Sequence, residues 1–366
     1  MRRHAAGLLA VGSVGALLVI GPNLGAQAGQ GRGRGEGQTV ILEQAPTDRA
    51  IAIPTEKLAQ HLKDMDAKKL QTLRMIEGGK FNVNIRRITN AETALIHPNT
   101  TDLWVVLEGS GTLTTGGIVE NGKFVGGESH PIKVGDVTYL PAGLPHGVSG
   151  VNGNITWLNV RWDTDWPADA EPGAGNFQGR AAGRGAARGA RAGGEAPAGG
   201  QPPAGAGRAE GAAREGGARA GGAGRGAAGF GAPLEYGGSG EIFISKERLD
   251  GYMKDMELKN LGTLRMIEGG RYNVNIRRIT APSTEYHDIT ADTWVILKGG
   301  GTASTGFDRT ANGGRVEGTG VSAPAKVGDV FFIPAHFPHG FSTVSPDVYW
   351  LNIRWDVNYA NFPAAK

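Results

Sequence analysis

The chain has 366 residues, a formal net charge of +3 and no cysteine. Without thiols it can form neither disulfides nor thiolate metal sites, and it has no cysteine for a lipoprotein anchor. The positive charge comes from Arg2, Arg3 and an arginine-rich segment at 167–239. The remaining sequence is close to neutral, which argues against a nucleic-acid-binding surface.

Residues 1–28 have the pattern of a secretory signal peptide. Arg2 and Arg3 precede an apolar run from Ala5 to Ile20, and Ala26-Gln27-Ala28 forms a small-x-small cleavage site. The apolar run is too short and too rich in glycine for a good membrane-spanning helix. We therefore expect an exported protein, periplasmic or extracellular, with no stable membrane anchor. The paired arginines leave both the general and the twin-arginine export routes open.

Two further segments are expected to stay unfolded. Residues 29–50 are polar and rich in glycine, which predicts a flexible arm. Residues 167–239 consist almost wholly of Ala, Gly, Arg, Pro and Glu, so they cannot bury enough apolar surface to fold and predict a disordered linker. Two folding units of ordinary domain size remain, at 51–166 and 240–362.

Each unit begins with the pattern of an amphipathic helix. A residue that can cap a helix is followed by apolar residues that recur along one helical face. The capping residues are Thr55 and Ser245, and the apolar residues are Leu58, Leu62 and Met65 in the first unit and Leu249, Met253 and Met256 in the second.

After each helix the pattern changes to short strands rich in β-branched and aromatic residues. Clusters of Gly, Asn and Pro separate the strands, and Gly109-Ser110-Gly111 is one such predicted turn. In the first unit the predicted strands are Phe81 to Ile88, Leu103 to Leu107, Val137 to Leu140 and Ile155 to Trp162. This all-β pattern is typical of an antiparallel sandwich or barrel.

The sequence is repeated. Residues 74–89 read RMIEGGKFNVNIRRIT and residues 265–280 read RMIEGGRYNVNIRRIT, with two conservative differences. Each copy continues with two spaced motifs, H-x4-D-x6-G and G-x5-P-A-x-x2-H. The first motif is His97, Asp102 and Gly109 in copy one and His287, Asp292 and Gly299 in copy two; the second runs from Gly135 to His146 and from Gly328 to His339.

Together the two motifs resemble those of the cupin superfamily, and the resemblance covers both folding units. It implies two double-stranded β-helix (jelly-roll) barrels, each preceded by a short helix and joined by the linker: a tandem cupin, or bicupin. In cupins with a metal, an H-x-H pair, a glutamate and the histidine of the second motif bind one divalent ion inside the barrel. The two barrels are expected to pair as an intramolecular pseudo-dimer.

The chain departs from that pattern at two positions in each copy. Leu95 and Glu285 stand where the first histidine of the pair is expected, and Asp102 and Asp292 replace the longer glutamate. Two imidazoles and a carboxylate still suit iron, manganese or zinc. The candidate metal ligands are His97, Asp102 and His146 in copy one and Glu285, His287, Asp292 and His339 in copy two. Loss of the metal from one or both barrels is the alternative.

Other polar residues could act beside a metal. Glu285 or His336 could transfer protons if it is not a ligand, although His336 replaces a turn glycine and could serve only the turn. Asn82, Asn84 and Arg86 alternate along a strand, as do Asn159 and Arg161, and copy two repeats both rows. If these rows face the cavity, the arginines could bind an anionic substrate; if they face outward, they belong to a solvated sheet or to the contact between barrels. The four candidate arginines are Arg86, Arg161, Arg277 and Arg354.

Three functions are compatible with these residues. The resemblance favours a metal-dependent oxidoreductase or lyase, dioxygenase- or decarboxylase-like, acting on a small organic acid or phenolic compound. A barrel that binds a small ligand such as a sugar without metal or chemistry is the second. A scaffold that displays two domains on a linker is the third. Fold alone does not decide among them, because cupins carry many reactions.

Overall fold

The computed structural model describes residues 39–164 except 93, and residues 234–357 except 238, 239 and 270. The predicted signal peptide and most of the predicted linker lie outside the described residues. In the described part of the chain, no helix is long and apolar enough to cross a membrane.

The first half contains one helix and eleven strands among its described residues. In chain order they are β1 (Thr39–Ile41), β2 (Ile51–Ile53), α1 (Thr55–Lys68), β3 (Thr72–Glu77), β4 (Phe81–Ile88), β5 (Thr100–Thr115), β6 (Ile118–Glu120), β7 (Lys123–Val125), β8 (Glu128–Lys133), β9 (Val137–Leu140), β10 (His146–Ser149) and β11 (Ile155–Asp163).

The second half repeats this order with fewer, longer strands. Its described elements are β12 (Glu235–Tyr236), β13 (Ile242–Ile244), α2 (Lys246–Leu258), β14 (Thr263–Glu268), β15 (Tyr272–Ile279), β16 (Ser283–Glu285), β17 (Thr290–Thr305), β18 (Val321–Lys326), β19 (Val330–Ile333) and β20 (His339–Asp356).

Each half forms a barrel from two strand layers joined by one long strand. In the first barrel the strand order is β1-β3-β4-β11-β5-β9-β13, and β8 and β10 flank the far end of β5. In the second the order is β12-β14-β15-β20-β17-β19-β2, with β18 on β17 and β16 on β20. The all-β double barrel predicted from the sequence is therefore confirmed.

The long strand β5 corrects one predicted turn. Gly109-Ser110-Gly111 does not end the strand; β5 continues through it and changes partners from β9 to β8 and β10. Gly109 has φ 73°, and a Cβ there would overlap the carbonyl oxygen of Asn154. Glycine is needed at this bend because it alone combines a left-handed backbone with that close approach.

The two halves exchange the short strands that precede their helices. Strand β2, from the first half, pairs antiparallel with β19 of the second barrel, with Ile53 opposite Val330. Strand β13, from the second half, pairs in the same way with β9 of the first barrel, with Ile244 opposite Val137. Each barrel therefore receives an edge strand from the other half.

A single hydrophobic core lies between the barrels and joins them. It contains the buried faces of both helices and alternate residues of the facing sheets. Phe81 of the first half packs against Trp355 of the second with ring centroids 5.1 Å apart, and Trp162 stacks parallel to Trp355 at 6.3 Å. Burial of this much apolar surface stabilises the pairing of the halves, as predicted for an intramolecular pseudo-dimer.

At the start of each helix, a backbone N–H group donates a hydrogen bond to a carboxylate of the opposite barrel. Asp329 Oδ1 accepts hydrogen bonds from the backbone N–H of Thr55 at 2.8 Å and from its hydroxyl at 3.2 Å. Asp136 Oδ1 accepts from the N–H of Lys246 at 2.8 Å. The predicted capping role of Thr55 is thus wrong, since α1 begins at Thr55 after Pro54 and has no side-chain cap of its own. Ser245 does cap α2, by accepting from the N–H of Arg248.

Two predicted unfolded segments contain ordered strands. Within the predicted arm, β1 pairs parallel with β3, with Thr39 opposite Thr72. At the end of the predicted linker, β12 pairs parallel with β14, with Glu235 opposite Ile267. The flexible arm therefore cannot extend to residue 50, nor the linker to 239. Strands this short carry no periodicity that a sequence reading could detect.

Candidate metal centres

The candidate ligands of the second barrel come together from three elements. Glu285, the last residue of β16, lies directly opposite His339, the first residue of β20. Asp292, in β17, lies opposite Arg354 of β20. His287 follows β16 in the connection to β17. The spacing of the two motifs therefore places residues from distant parts of the sequence at one point inside the barrel.

The distances in this group exceed ordinary hydrogen bonds. His339 Nε2 and His287 Nε2 lie 3.3 and 3.6 Å from Asp292 Oδ2, and His287 Nε2 lies 3.7 Å from Glu285 Oε2. Neighbouring ligand atoms around an ion bound at about 2.1 Å are separated by roughly 3.0–3.4 Å. The group has approximately the dimensions of a divalent-cation site.

Three buried atoms of this group point to the same conclusion. His287 Nε2, His339 Nε2 and Asp292 Oδ2 have no hydrogen-bond partner among the described residues. His339 Nδ1 lies 2.8 Å from the carbonyl oxygen of Phe337 and donates to it. That bond directs the lone pair of Nε2 toward the group, as metal-binding histidines require. Buried polar atoms without partners are costly, and a bound cation would satisfy all three.

Arginines hold both carboxylates of the second barrel. Arg354 Nε lies 2.9 Å from Asp292 Oδ1, and Arg277 forms an ion pair with Glu285. Burial is the largest single influence and would raise the pKa of each carboxyl. Arg354 beside Asp292 and Arg277 beside Glu285, together with His287 and His339, outweigh it and lower both pKa values. Both groups are ionised at neutral pH, and each has an oxygen on the side of the histidines.

The first barrel has the same framework in a different state. His97 Nδ1 donates a hydrogen bond of 2.8 Å to Asp102 Oδ2, while Arg161 Nε lies 2.6 Å from Asp102 Oδ1. His146 Nε2 is 3.8 Å from Asp102 Oδ2, and its Nδ1 donates to the carbonyl oxygen of Leu144. The His97–Asp102 bond closes a contact that stays open in the second barrel, so an ion held by both residues would replace that bond. The ligand atoms of His97, Asp102 and His146 still lie within 4.8 Å of one another.

Charge in the first group is balanced without an ion. Burial opposes ionisation of Asp102, but Arg161 and His97 outweigh it and lower its pKa. Burial, with repulsion from His97, lowers the pKa of His146 to about 4. His146 is therefore neutral at neutral pH and able to act as a ligand.

The two groups differ most at the position two residues before the first motif histidine. Leu95 lies opposite His146 through a β-bridge, as Glu285 lies opposite His339. The arginine that pairs with Glu285 in the second barrel corresponds to Arg86 in the first, and Arg86 pairs with Glu92 instead. A carboxylate that could complete the group is replaced by an apolar side chain, and sequence reasoning did not identify Glu92 as the substitute partner.

The polar rows of Asn and Arg line the inner face of each sheet, which corrects the outward alternative. Arg161 lies opposite Asp102 and Asn159 opposite Trp104, on the face that carries the buried cluster inside the barrel. The other face, with Val160 and Trp162, belongs to the core between the barrels. All four candidate arginines pair with carboxylates; their role in binding substrate stays a prediction.

His336 and Glu285 have different prospects for proton transfer. His336 has φ 61°, so its predicted turn role is confirmed, and its Nδ1 lies 3.5 Å from the hydroxyl of Tyr286. Glu285, with its lowered pKa, is an ionised acceptor and not a proton donor at neutral pH. Its predicted part in proton transfer is therefore limited to accepting, and its geometry favours the ligand role.

Buried tryptophans pack against the motif histidines. Trp104 packs edge-on against His146 at 5.7 Å between centroids, and Trp294 packs edge-on against His339 at 5.4 Å. These contacts fix the imidazole planes and exclude water from one side of each group. Trp157 and Trp350 complete the inner clusters.

No model of a known protein family matches the chain, and no curated protein matches its sequence. Among solved structures, it is similar to a salicylate 1,2-dioxygenase from Pseudaminobacter salicylatoxidans, with 10% identity, 85% of each chain covered and a TM-score of 0.49. A cupin 2 conserved barrel domain protein from Leptotrichia buccalis has 9% identity and a TM-score of 0.41, covering 78% of this chain and 88% of that one.

The fold is defined by features of the chain itself. Both copies carry the paired motifs, and in each barrel the motif aspartate lies within 4 Å of both motif histidines. By its duplicated motifs and its strand topology, the chain has the fold of a tandem cupin.

Proposed function

We propose that the protein is a metal-dependent enzyme whose centre is in the second barrel. The observation that carries the proposal is the group of His287, His339, Asp292 and Glu285, with three buried atoms that lack partners. A purely structural histidine cluster would satisfy these atoms with hydrogen bonds. Iron, manganese and zinc all accept two imidazoles with carboxylates, and such a set leaves coordination positions for a substrate.

A bound divalent ion would supply Lewis-acid or redox chemistry at a substrate oxygen. The protein would contribute orientation and charge. Arg354 and Arg277 keep Asp292 and Glu285 ionised and fixed, and the carbonyl of Phe337 fixes the tautomer of His339.

The substrate class follows from the resemblance to bicupin dioxygenases and decarboxylases. We infer a small organic acid or phenolic compound, converted by an oxidoreductase or lyase reaction. The inner face of the barrel offers arginine N–H groups for an anionic substrate, since a guanidinium bound to one carboxylate retains other donors. These arginine donors favour a negatively charged substrate.

The test is metal content by elemental analysis of protein purified without chelator or affinity tag. His287→Ala/His339→Ala is compared with the matched pair His97→Ala/His146→Ala, which makes the same change in the first barrel. We expect at least one ion per chain, lost in the second-barrel variant and retained in the first-barrel variant. No ion above background after reconstitution with Fe(II), Mn(II) and Zn(II) would refute the proposal.

The first barrel favours a second candidate function, the binding of a small ligand such as a sugar without a metal. Its His97–Asp102 hydrogen bond leaves the group charge-balanced and closed. In that case a ligand should raise the melting temperature of metal-free protein, and His97→Ala/His146→Ala should remove that rise.

We further propose export to the periplasm or the extracellular space. The support is the sequence pattern of residues 1–28. Mass spectrometry of the protein recovered from its native host tests it, and an N-terminus at Gly29 is the expected result; recovery of uncleaved cytoplasmic protein would contradict it.

A further inference from the structure

A cavity of about 720 Å³ opens in the first barrel, at the place where strand β13 arrives from the other half of the chain. Its polar lining includes Thr115, Glu128, His130 and Glu241, and its apolar lining includes Leu144 and Phe243. None of the three candidate metal ligands of this barrel lines it. Its volume is in the range of small-molecule sites.

Glu241 is the central polar group of the cavity. Its Oε2 accepts a hydrogen bond of 2.7 Å from the Thr115 hydroxyl, and its Oε1 lies 3.1 Å from His130 Nε2. Its side chain is only 11% exposed, and burial raises the pKa of the carboxyl. His130 packs on the ring of Phe243 at 4.3 Å between centroids. The cavity therefore combines a desolvated acid with an aromatic wall.

The second barrel shows that the fold does not need these residues. Strand registers place Val321 where the first barrel has Glu128, and Ala323 where it has His130. The exchanged strand β2 carries Ala50 and Ala52 where β13 carries Glu241 and Phe243. Every one of the four positions is therefore apolar in the repeat.

The space itself is also filled in the second barrel. Phe331 lies opposite Ala52, at the position of Thr138 in the first barrel, and it is 2% exposed. Phe331 belongs to the inner cluster against which Ala50 and Ala52 pack. A buried acid and a histidine thus occur together beside the cavity of one copy, and alanine replaces both at the corresponding positions of the other. This joint difference points to a ligand and not to a requirement of folding.

The charge of the lining selects the class of ligand. The described lining contains two carboxylates, Glu128 and Glu241, one histidine, and neither lysine nor arginine. An anion would meet repulsion from both acids, whereas a cation would stabilise the ionised form of buried Glu241. The rings of Phe243 and His130 and the side chain of Leu144 suit an apolar body and can also face a cationic group.

We propose that this cavity is a second ligand site, separate from the metal centres, that binds a small organic cation: an amine with an apolar or aromatic body. The ammonium would lie between Glu241 and Glu128, and the apolar body would lie against Phe243 and Leu144. The exchanged strand supplies Glu241 and Phe243, so the site exists only when the two halves are paired.

Three probes of equal shape and different charge test the proposal: benzylamine, benzyl alcohol and benzoate. Their binding to the full metal-free chain is measured by isothermal titration calorimetry. Metal-free protein is used because an amine can bind a metal directly. We expect benzylamine to bind at least tenfold more tightly than either other probe. Equal affinities, tighter binding of benzoate, or no benzylamine binding would each overturn the proposal.

A pair of charge-removing variants locates the site. Glu241→Gln should weaken benzylamine at least tenfold and leave benzyl alcohol within twofold. Glu247→Gln is the matched control, because Glu247 lies on the neighbouring helix, is 66% exposed and pairs with Lys133 outside the cavity. Equal losses in the two variants would show non-specific attraction and would overturn the assignment. The metal content of Glu241→Gln should stay unchanged, so the result is independent of the proposed metal centre.

Discussion

The two barrels place corresponding histidines, aspartates and arginines at corresponding points, yet one group is open and the other is closed. In the second barrel the imidazole nitrogens stand 3.3–3.7 Å from the carboxylate oxygens without a hydrogen bond. In the first, His97 and Asp102 bond at 2.8 Å. The neighbouring difference is Glu285 against Leu95. A fourth candidate ligand, the second carboxylate of the group, favours an ion. Without it, His97 and Asp102 satisfy each other, while His146 Nε2 keeps no hydrogen-bond partner among the described residues.

The largest effect should come from making the second barrel resemble the first. Glu285→Leu removes one anionic ligand, and we expect metal affinity to fall more than 100-fold, beyond the 10- to 100-fold typical of groups that only support a ligand. Glu285→Gln retains an acceptor for Arg277 and should lose less. Competition with a chromophoric chelator measures both, and an unchanged affinity in Glu285→Leu would show that Glu285 is not a ligand.

Outside the metal groups the halves should behave alike, and the paired helix contacts test this. Asp136→Ala removes the carboxylate that accepts from the backbone N–H groups of Lys246 and Lys133. Asp329→Ala removes the carboxylate that accepts from the backbone N–H groups of Thr55 and Lys326. Each change should lower the free energy of unfolding by about 2–4 kcal/mol, because buried donors lose charged partners. Urea unfolding measures it. A loss below about 1 kcal/mol in either variant would mean that the contact does not join the halves.

Burial of His146 in the first barrel should make the stability of the protein depend on pH. The folded-state pKa of His146, about 4, lies below its ordinary value of 6.5, so the unfolded chain binds the proton first as pH falls. The contribution of neutral His146 to the free energy of unfolding is present above pH 6.5 and is lost as pH falls from 6.5 to 4. At pH 5 the free energy of unfolding should be lower by about 2 kcal/mol. Unfolding of metal-free protein measures it. His146→Gln should flatten this part of the curve, and an unchanged slope would contradict the assignment.

The smallest expected effect is a gain. Leu95→Glu places a carboxylate opposite His146, beside the arginine that corresponds to Arg277, and should create a metal site in the first barrel. We expect it to bind at least tenfold more weakly than the second, because His97 must first leave Asp102. Metal stoichiometry at high metal concentration should rise by one ion per chain. Leu95→Gln is the uncharged control, and equal stoichiometry in the two variants would argue against the comparison.

Much of the fold could be predicted from the sequence. The repeat, the helix stripes and the motif spacing placed His97, Asp102 and His146 together because two motifs on neighbouring strands of a barrel must meet inside it. The period-two rows of Asn and Arg identified one face of a sheet but not which face was inside. That choice depended on Val160 and Trp162, which pack against the other barrel, and no local pattern records such a contact.

Strand exchange could not be predicted for a similar reason. The exchanged strands are three apolar residues each, Ile51–Ile53 and Ile242–Ile244. Nothing in so short a segment specifies which sheet it joins. The state of the metal groups was equally hidden. The His97–Asp102 bond depends on side-chain torsions, and Glu92, which replaces Glu285 as the partner of an arginine, lies outside both motifs.

Reciprocal exchange of β2 and β13 also constrains how this chain can evolve. Truncating either half would remove an edge strand from the surviving barrel and expose the apolar face that the shared core covers. The halves must therefore be inherited together, even if only one of them retains chemistry. A barrel retained in this way is free to change its interior and to take a different ligand. The apolar residue at Leu95 and the acidic cavity of Glu241 are the kind of divergence that this freedom permits.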